Sequence, residues 1–266
     1  MVLSGKDYLD VVQITDCHLF ADKNGGLYGL NSLRCLTEIV DSVRRQPVDL
    51  VLATGDLVHD ETPEGYQVLR EALAGLDSPI HVLAGNHDAP ALIQRLLNSD
   101  GFSSEKSVCL GRWQIVLLDS HVPGEVGGEL GEHELRFLSQ ALAAHGDKHA
   151  LVCVHHQPVP IGSAWLDTIG LKDGAQLMAR IGEFPQVKGL LWGHVHQEYD
   201  ALQAEVRLLA TPSTCIQFKP ACDEFALDPV TPGYRILRLH ADGKIETRVH
   251  RLATMPGELN AAAKGY

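Results

Sequence analysis

The sequence lacks three features that would place a protein at or beyond a membrane. No apolar run approaches the roughly 20 residues of a membrane-spanning helix. Residues 1–7 lack the basic start and apolar stretch of a secretory signal. The cysteines (17, 35, 109, 153, 215 and 222) show no C-x-x-C spacing, which favours reduced thiols, although the sequence leaves a Cys215–Cys222 disulfide open. We therefore expect a cytoplasmic protein that does not contact a membrane.

Basic and aromatic residues are also scarce. The chain has 22 Lys+Arg against 34 Asp+Glu, a formal net charge of −12, and only 6% aromatic residues. A protein that tracks nucleic-acid phosphates needs a basic surface, and no cluster of lysines and arginines provides one here. Nucleic acid is therefore not an expected partner. A small phosphate ester stays compatible with an acidic chain, because bound cations can reverse the local charge.

The sequence does contain an alternation of strand and helix patterns over its first two thirds. Predicted strands at 9–14, 49–54, 80–84, 150–154 and 187–192 alternate with helices at about 32–46, 63–76, 89–98, 132–145 and 175–181. Short strands follow residue 198, and Asp242-Gly243 indicates a hairpin. This order predicts an α/β fold in which two sheets pack face to face with helices outside. We expect one domain over residues 1–266, with a loosely held tail at 255–266.

Five short segments carry metal-ligand side chains, and each follows a predicted strand. They are Asp16-Cys17-His18, Gly55-Asp56, Gly85-Asn86-His87-Asp88, His155-His156 and Gly193-His194-Val195-His196. Ligands of such folds bind beyond the carboxyl ends of the strands, so these segments should converge. Their side chains suffice for two divalent metals that share Asp56. A strand period of two would place Asp16 with His18, and His194 with His196, on one side of an extended chain.

Taken singly, most of these segments are weak signals, because a G-D or N-H-D at a strand end is usually a turn or a cap. Asn86 offers a carbonyl oxygen to a cation, and His87 can face the substrate while Asp88 orients its ring. If the strand continues, only one ring of the His155-His156 pair can face inward, and we assign His155. The other histidines (59, 81, 121, 133, 145, 149, 240 and 250) have no partner spacing and are expected to be solvated or structural.

Taken together, the five segments resemble the motif series of the calcineurin-like metallophosphoesterases, in the order D-x-H, G-D, G-N-H-D, H and G-H-x-H. Within that superfamily, residues 13–16, 53–57, 165–167 and 210–220 are similar to the bacterial class III cyclic nucleotide phosphodiesterases. Cys17 stands where this family commonly has threonine or serine. The resemblance implies a four-layered α/β/β/α sandwich of two mixed sheets. It also implies hydrolysis of 3′,5′-cyclic AMP to 5′-AMP by in-line attack of a metal-bound hydroxide.

The resemblance assigns roles to individual residues. It gives one metal Asp16, His18, Asp56 and His196, and the other metal Asp56, Asn86, His155 and His194. His87 and Asp88 would be catalytic. The substrate would contact His18, Asp56, Asn86, His87, His155 and His196. Nitrogen and oxygen ligands without thiolate suit iron, manganese, zinc or cobalt, and the family leans towards Fe²⁺ or Mn²⁺.

Alternative functions stay open at this point. A broader phosphodiesterase, acting on glycerophosphodiesters or 2′,3′-cyclic nucleotides, would use the same ligands, and Trp165 could either stack on a purine or pack in the core. A non-catalytic scaffold with this fold should have lost some metal-ligand residues. All of them are present here, which disfavours a scaffold. A protein phosphatase is disfavoured, because those enzymes have the motif G-D-x-V-D-R-G. Residues 55–60 of this chain read GDLVHD instead and lack the arginine. The oligomeric state is not fixed by the sequence.

Overall fold

The structure, a computed structural model, describes residues 6–263 and residue 265. Its helices are α1 (Ser32–Val43), α2 (Pro63–Leu73), α3 (Pro90–Leu96), α4 (Gly131–Ala144), α5 (Ala164–Asp167) and α6 (Gly174–Gly182). Its strands are β1 (Tyr8–Ile14), β2 (Gly26–Leu27), β3 (Leu30–Asn31), β4 (Leu50–Thr54), β5 (Ile80–Leu83), β6 (Phe102–Ser103), β7 (Ser107–Leu110), β8 (Trp113–Leu117), β9 (His149–Cys153), β10 (Val187–Trp192), β11 (Tyr199–Gln203), β12 (Val206–Ala210), β13 (Gln217–Phe218), β14 (Leu227–Asp228), β15 (Gly233–His240) and β16 (Ile245–Arg251).

Two large mixed sheets contain most of these strands. Within the described residues, one sheet has the order β16-β15-β1-β4-β5-β6 and the other has the order β11-β12-β10-β9-β8-β7. The central strands of each sheet are parallel, whereas β15 pairs antiparallel with β1. The C-terminal hairpin β15–β16 therefore completes the sheet that the first strand begins.

The strand period of two divides the core into three apolar layers. Val12 on β1 packs under α1 and α2, whereas Val11 points into the space between the two sheets. On β9, Leu151 meets the same intersheet layer, and Val152 packs towards α4 and α6. Both sheets are thus covered by helices outside and by each other inside. The predicted α/β/β/α sandwich is confirmed.

The first two helices begin where their capping residues predict. Asn31 precedes α1, and its side chain accepts the backbone N–H of Arg34 at 2.7 Å. Thr62 precedes α2 and accepts from Gly65 at 3.0 Å, with Pro63 at the first helical position. The sequence patterns missed α5 and the two-residue strands, because segments this short do not complete one hydrophobic period. In the described part of the chain, no helix is long and apolar enough to cross a membrane.

The C-terminal segment that the sequence predicts to be loosely held contacts the body of the protein. Leu259 and Met255 pack against the helix-covered core of the second sheet. The backbone N–H of Asn260 donates to the carbonyl of Tyr28 at 2.8 Å, and the Tyr28 hydroxyl donates to the carbonyl of Gly265 at 2.5 Å. These contacts join sequence positions too distant for any local pattern to indicate.

Arg235 on β15 joins the two sheets from a buried position, 1% exposed. Its guanidinium donates to the carbonyl of Ala210 at 2.6 Å and to Thr211 Oγ1 at 3.1 Å, both at the end of β12. Burial lowers the pKa of Arg235 to about 10, so it stays charged at neutral pH.

We expect Arg235→Leu to lower the free energy of unfolding by about 3 kcal/mol, because charged hydrogen bonds are lost and buried carbonyls lose their donor. Urea unfolding followed by circular dichroism measures this effect. The control is Arg34→Leu, whose side chain is 63% exposed in its ion pair with Glu38 and should change stability by less than about 1 kcal/mol. Equal effects of the two substitutions would contradict the role of Arg235.

Candidate metal centre

The five segments singled out in the sequence meet at one end of the two sheets. Asp16 and His18 follow β1, Asp56 follows β4, and the remaining segments follow β5, β9 and β10 in the same way. Because these strands are parallel within each sheet, their carboxyl ends lie on one edge, and both sheets present this edge to the same space. The predicted convergence of the segments is therefore observed.

The local backbone differs from the extended chain that the strand period predicted. Asp16, His18, Asp56, His194 and His196 all adopt a left-handed conformation, with φ of 54°, 45°, 49°, 64° and 46°. The strands end before these residues, so tight turns aim the side chains. A non-glycine residue in this region costs of order 1–3 kcal/mol and persists only where surrounding contacts fix it. Five of the residues whose side chains converge are therefore held in a strained backbone conformation.

Hydrogen bonds between the loops supply the fixing contacts. The N–H of Asp16 donates to the carbonyl of Gly55 at 2.9 Å, and the N–H of His18 donates to the carbonyl of Asp56, also at 2.9 Å. The loop after β10 joins them, since the N–H of His194 donates to Asp16 Oδ1 at 3.0 Å. Three loops from two sheets therefore form one hydrogen-bonded unit.

The first group of ligand atoms comprises Asp16, His18 and His196, all fully or almost fully buried. His196 Nε2 lies 3.4 Å from Asp16 Oδ1 and 3.2 Å from His18 Nε2. His18 Nε2 lies 3.8 Å from Asp56 Oδ2. Metal–ligand bonds of about 2.0–2.2 Å place neighbouring ligand atoms about 3.0–3.6 Å apart, so a divalent cation fits between these atoms with small adjustments.

The second group lies on the other side of Asp56. His155 Nε2 is 3.4 Å from Asp56 Oδ1 and 3.9 Å from Asp16 Oδ1. Asn86 Oδ1, His155 Nε2 and His194 Nε2 are buried and have no hydrogen-bond partner among the described residues. Buried polar atoms are normally satisfied, so such a set of orphaned ligand atoms fits a metal site. Because the two oxygens of Asp56 face different groups, Asp56 can bridge two ions.

His156 is buried beside these ligands, but its ring nitrogens are engaged elsewhere. Nδ1 contacts Ser120 Oγ at 2.8 Å, and Nε2 donates to the carbonyl of Val126 at 3.0 Å. The strand ends at Cys153, so both neighbouring rings turn inward, contrary to the premise of one inward ring. Of the two, His155 directs a nitrogen at the carboxylates, and its role as a metal ligand stays a prediction.

Backbone carbonyls orient the rings of two candidate ligands. His155 Nδ1 donates to the carbonyl of Thr54 at 2.9 Å, and His196 Nδ1 donates to the carbonyl of Ile216 at 2.9 Å. A carbonyl only accepts, so Nδ1 carries the proton in each ring. The lone pair of Nε2 then points at the carboxylates, which is the tautomer that a metal ligand requires.

The electrostatics of the centre also favour cations. Burial lowers the pKa of His194 to about 3, and burial lowers that of His18 well below its usual value, so both rings are neutral at physiological pH, as metal binding requires. His155 differs: burial opposes its protonation, but the Asp56 carboxylate raises its pKa to about 9. A metal ion bound through His155 Nε2 would take the place of a proton there, because a ligating imidazole must be deprotonated at that atom.

Asp88 accepts hydrogen bonds from three backbone N–H groups and one hydroxyl. The donors are Gly85 at 2.9 Å, Leu57 at 3.1 Å, Val58 at 3.2 Å and the hydroxyl of Tyr66 at 2.9 Å. Burial and the nearby Asp56 charge raise the pKa of Asp88 to about 7. These bonds tie the loop after β4 to the loop after β5, which places the backbone N–H of His87 2.9 Å from Asp56 Oδ1.

His59 is the residue that the sequence patterns missed. The sequence predicts a solvated or structural role, but the structure places His59 beside His18 and His87, with ligand atoms of all three within 4.8 Å of one another. Burial lowers the pKa of His59 to about 4. The one available sequence signal is that His59 lies three residues after Asp56. This spacing does not predict a contact unless the shape of the intervening turn is known.

The fold and the centre together define a metal-dependent phosphoesterase architecture. The calcineurin-like phosphoesterase family matches residues 9–198, which is most of the chain, and the chain therefore belongs to this family.

Individual relatives narrow this comparison. The chain is 43% identical to the 3′,5′-cyclic adenosine monophosphate phosphodiesterase CpdA of Escherichia coli K12, over 99% of this chain and 97% of the relative. It is also 43% identical to the protein of the same name from Pseudomonas aeruginosa, over 96% and 94%. Among solved structures, a dimetal phosphatase from Danio rerio aligns with a TM-score of 0.66 at 16% identity, covering 92% of this chain and 99% of that one. This last likeness supports the fold alone.

Proposed function

We propose that this protein is a metal-dependent phosphodiesterase that hydrolyses 3′,5′-cyclic AMP to 5′-AMP. The observation that carries the proposal is the set of buried ligand atoms around Asp56 that lack hydrogen-bond partners in the described chain, namely Asn86 Oδ1, His155 Nε2 and His194 Nε2. The substrate is inferred from relatives that are named 3′,5′-cyclic AMP phosphodiesterases and match nearly the whole chain at 43% identity.

The proposed centre takes two divalent cations. Asp16, His18 and His196 would hold one ion, Asn86, His155 and His194 would hold the other, and Asp56 would bridge them. We favour iron or manganese, because the donors are nitrogen and oxygen without thiolate. Bound there, the cations would supply an activated water and neutralise charge on the phosphoryl group.

Two side chains beside the centre have separate proposed roles in catalysis. His87 is partly exposed although its Nε2 is buried, and its ring lies 5.1 Å from that of His18, at the rim of the centre where a substrate would bind. We assign it the donation of a proton or hydrogen bond to the phosphoryl group or to the 3′ leaving oxygen. Asp88 would act as a positioning residue, because its hydrogen bonds fix the loop from which the His87 ring projects.

Turnover of several diesters tests the proposal. Metal-reconstituted protein should convert 3′,5′-cyclic AMP to 5′-AMP, and a chelator should remove the activity because no residue of the centre replaces the cations. The comparison substrates are 2′,3′-cyclic AMP, a glycerophosphodiester and bis-p-nitrophenyl phosphate. Product analysis by chromatography identifies the bond that breaks.

Each contrary result removes a different part of the proposal. Faster turnover of 2′,3′-cyclic AMP or of the glycerophosphodiester would contradict the substrate assignment and leave the centre intact. Absence of turnover of every diester by protein with two bound ions would contradict catalysis and support a scaffold. Metal analysis showing much less than two ions per chain after reconstitution would contradict the centre itself.

We also propose a cytoplasmic location. The cysteines at 17, 35, 109, 153, 215 and 222 are all free, and those at 17, 35, 153 and 215 are buried, so a Cys215–Cys222 disulfide is not formed in the structure. A reducing compartment would keep these thiols in this state.

A further inference from the structure

We propose that His59 is a positioning residue of the phosphodiesterase centre, which accepts a hydrogen bond from the candidate ligand His18 and supports the ring of His87. The inference rests on the proposed function, since it concerns the same centre. It adds a residue that none of the five metal-ligand segments includes.

The backbone fixes His59 next to both partners. Its N–H donates to the carbonyl of Leu19 at 2.7 Å, and Leu19 and Val58 form a parallel bridge. The segment after β1 and the segment after β4 therefore run side by side as far as His59. Its side chain lies beside the His18 ring, at a centroid distance of 5.2 Å.

The contact with His18 has a defined direction if His18 binds a metal. His18 Nδ1 lies 3.1 Å from His59 Nδ1. The other nitrogen of His18, Nε2, faces Asp56 and His196 at 3.8 and 3.2 Å. Metal binding through Nε2 requires the proton on Nδ1, so His18 donates and His59 accepts. This bond would fix the tautomer and orientation of the His18 ring, as the carbonyl of Ile216 does for His196.

The contact with His87 is a stacked one. The rings of His59 and His87 have centroids 4.5 Å apart and planes inclined by only 20°. The ring of Phe20 lies 4.9 Å from that of His59, so His59 itself is held in place. A flat neighbour restricts rotation of the His87 side chain. His59 thus links the orientation of a metal ligand to that of the candidate proton donor.

A third metal ion is the competing explanation for three neighbouring histidines. His18, His59 and His87 have ligand atoms within 4.8 Å of one another. His18 would then have to bind ions through both nitrogens, which requires loss of both ring protons. The hydrogen bond needs no such deprotonation and is therefore the better account.

Three substitutions separate the two contacts. His59→Asn places an amide oxygen near the position of Nδ1 and removes the stacked ring. His59→Phe retains the ring and removes the acceptor, whereas His59→Ala removes both. The two measurements are the affinity of the metal-free protein for Mn²⁺, and kcat on bis-p-nitrophenyl phosphate and on 3′,5′-cyclic AMP at saturating Mn²⁺.

We expect His59→Ala and His59→Phe to weaken binding of one Mn²⁺ ion by roughly 10–100-fold, with His59→Asn close to the parent protein. At saturating Mn²⁺, His59→Ala and His59→Asn should lower kcat roughly tenfold or more, and His59→Phe should retain most of it. The control is His133→Ala, whose side chain is 84% exposed on α4 and should change neither measurement.

Results that contradict the role of His59 can be told apart from results that contradict the proposed phosphodiesterase activity. Mn²⁺ affinity is read without substrate, so it tests the His18 contact even if cyclic AMP is not hydrolysed. Unchanged affinity in all three variants, or equal losses in all three with a lowered melting temperature, would overturn the proposal. Three Mn²⁺ ions per parent chain and two in each variant would replace it with a third metal site.

Discussion

Replacing Asp56 with asparagine should abolish most phosphodiesterase activity and leave fewer than two metal ions per chain. Asp56 is 1% exposed, and its two oxygens face His155 Nε2 at 3.4 Å and His18 Nε2 at 3.8 Å. The amide keeps the shape but removes the negative charge and one of the two acceptor oxygens. A bridging ligand therefore becomes a poor ligand for at least one of the ions.

The expected loss in kcat/KM is larger than the roughly 10–100-fold that follows loss of an outer-sphere partner. Metal content after reconstitution, by elemental analysis, and kcat/KM on 3′,5′-cyclic AMP are the measurements. Asp60→Asn is a matched control, because Asp60 lies on the same loop and its carboxylate accepts from Ala21 and Thr62 instead of facing the ligand atoms. Two tightly bound ions and near-normal turnover in Asp56→Asn would contradict the bridging role.

The positions of the candidate ligands could be predicted from the sequence because two simple rules coincide. Buried parallel strands are recognisable as apolar runs, and ligands bind beyond their carboxyl ends. Asp16, Asp56, Asn86, His155 and His194 each follow such a run, so their convergence requires only that the strands lie in neighbouring positions. The intersheet layer follows from the same runs, since their residues are apolar on both faces.

The turns that aim the side chains could not be predicted in this way. An extended backbone and the observed left-handed turns both place Asp16 and His18 on a common side. The predicted direction of the two side chains is therefore observed, but the predicted extended backbone is not. Left-handed φ at aspartate and histidine depends on partners distant in sequence, such as Gly55 and Asp56 for the loop after β1. A local pattern does not contain this information.

The same limit applies to residues that act through neighbours. The sequence predicts a solvated or structural role for His59 because no ligand spacing includes it, yet it contacts His18, 41 positions away. Adjacency in the sequence predicts that Asp88 orients the His87 ring, whereas its carboxylate accepts hydrogen bonds from Leu57, Val58 and Tyr66 on other segments. Sequence motifs therefore indicate candidate ligands better than they indicate the residues that orient them.

Replacing His87 with alanine should lower kcat on 3′,5′-cyclic AMP by about 10²–10⁴-fold without loss of metal. His87 is partly exposed, and its ring lies 5.1 Å from that of His18. Its backbone N–H to Asp56 Oδ1 does not depend on the side chain and should survive the substitution. Metal content equal to that of the parent protein is therefore part of the expected result.

The choice of leaving group distinguishes two roles for His87. If the ring protonates the 3′ oxygen, His87→Ala should damage turnover of cyclic AMP far more than that of bis-p-nitrophenyl phosphate, whose p-nitrophenolate needs no proton to leave. If the ring stabilises charge on the phosphoryl group, both substrates should slow by a similar factor. The control His133→Ala should leave both rates unchanged. Full activity of His87→Ala on both substrates would remove His87 from the mechanism and leave catalysis to the metal centre alone.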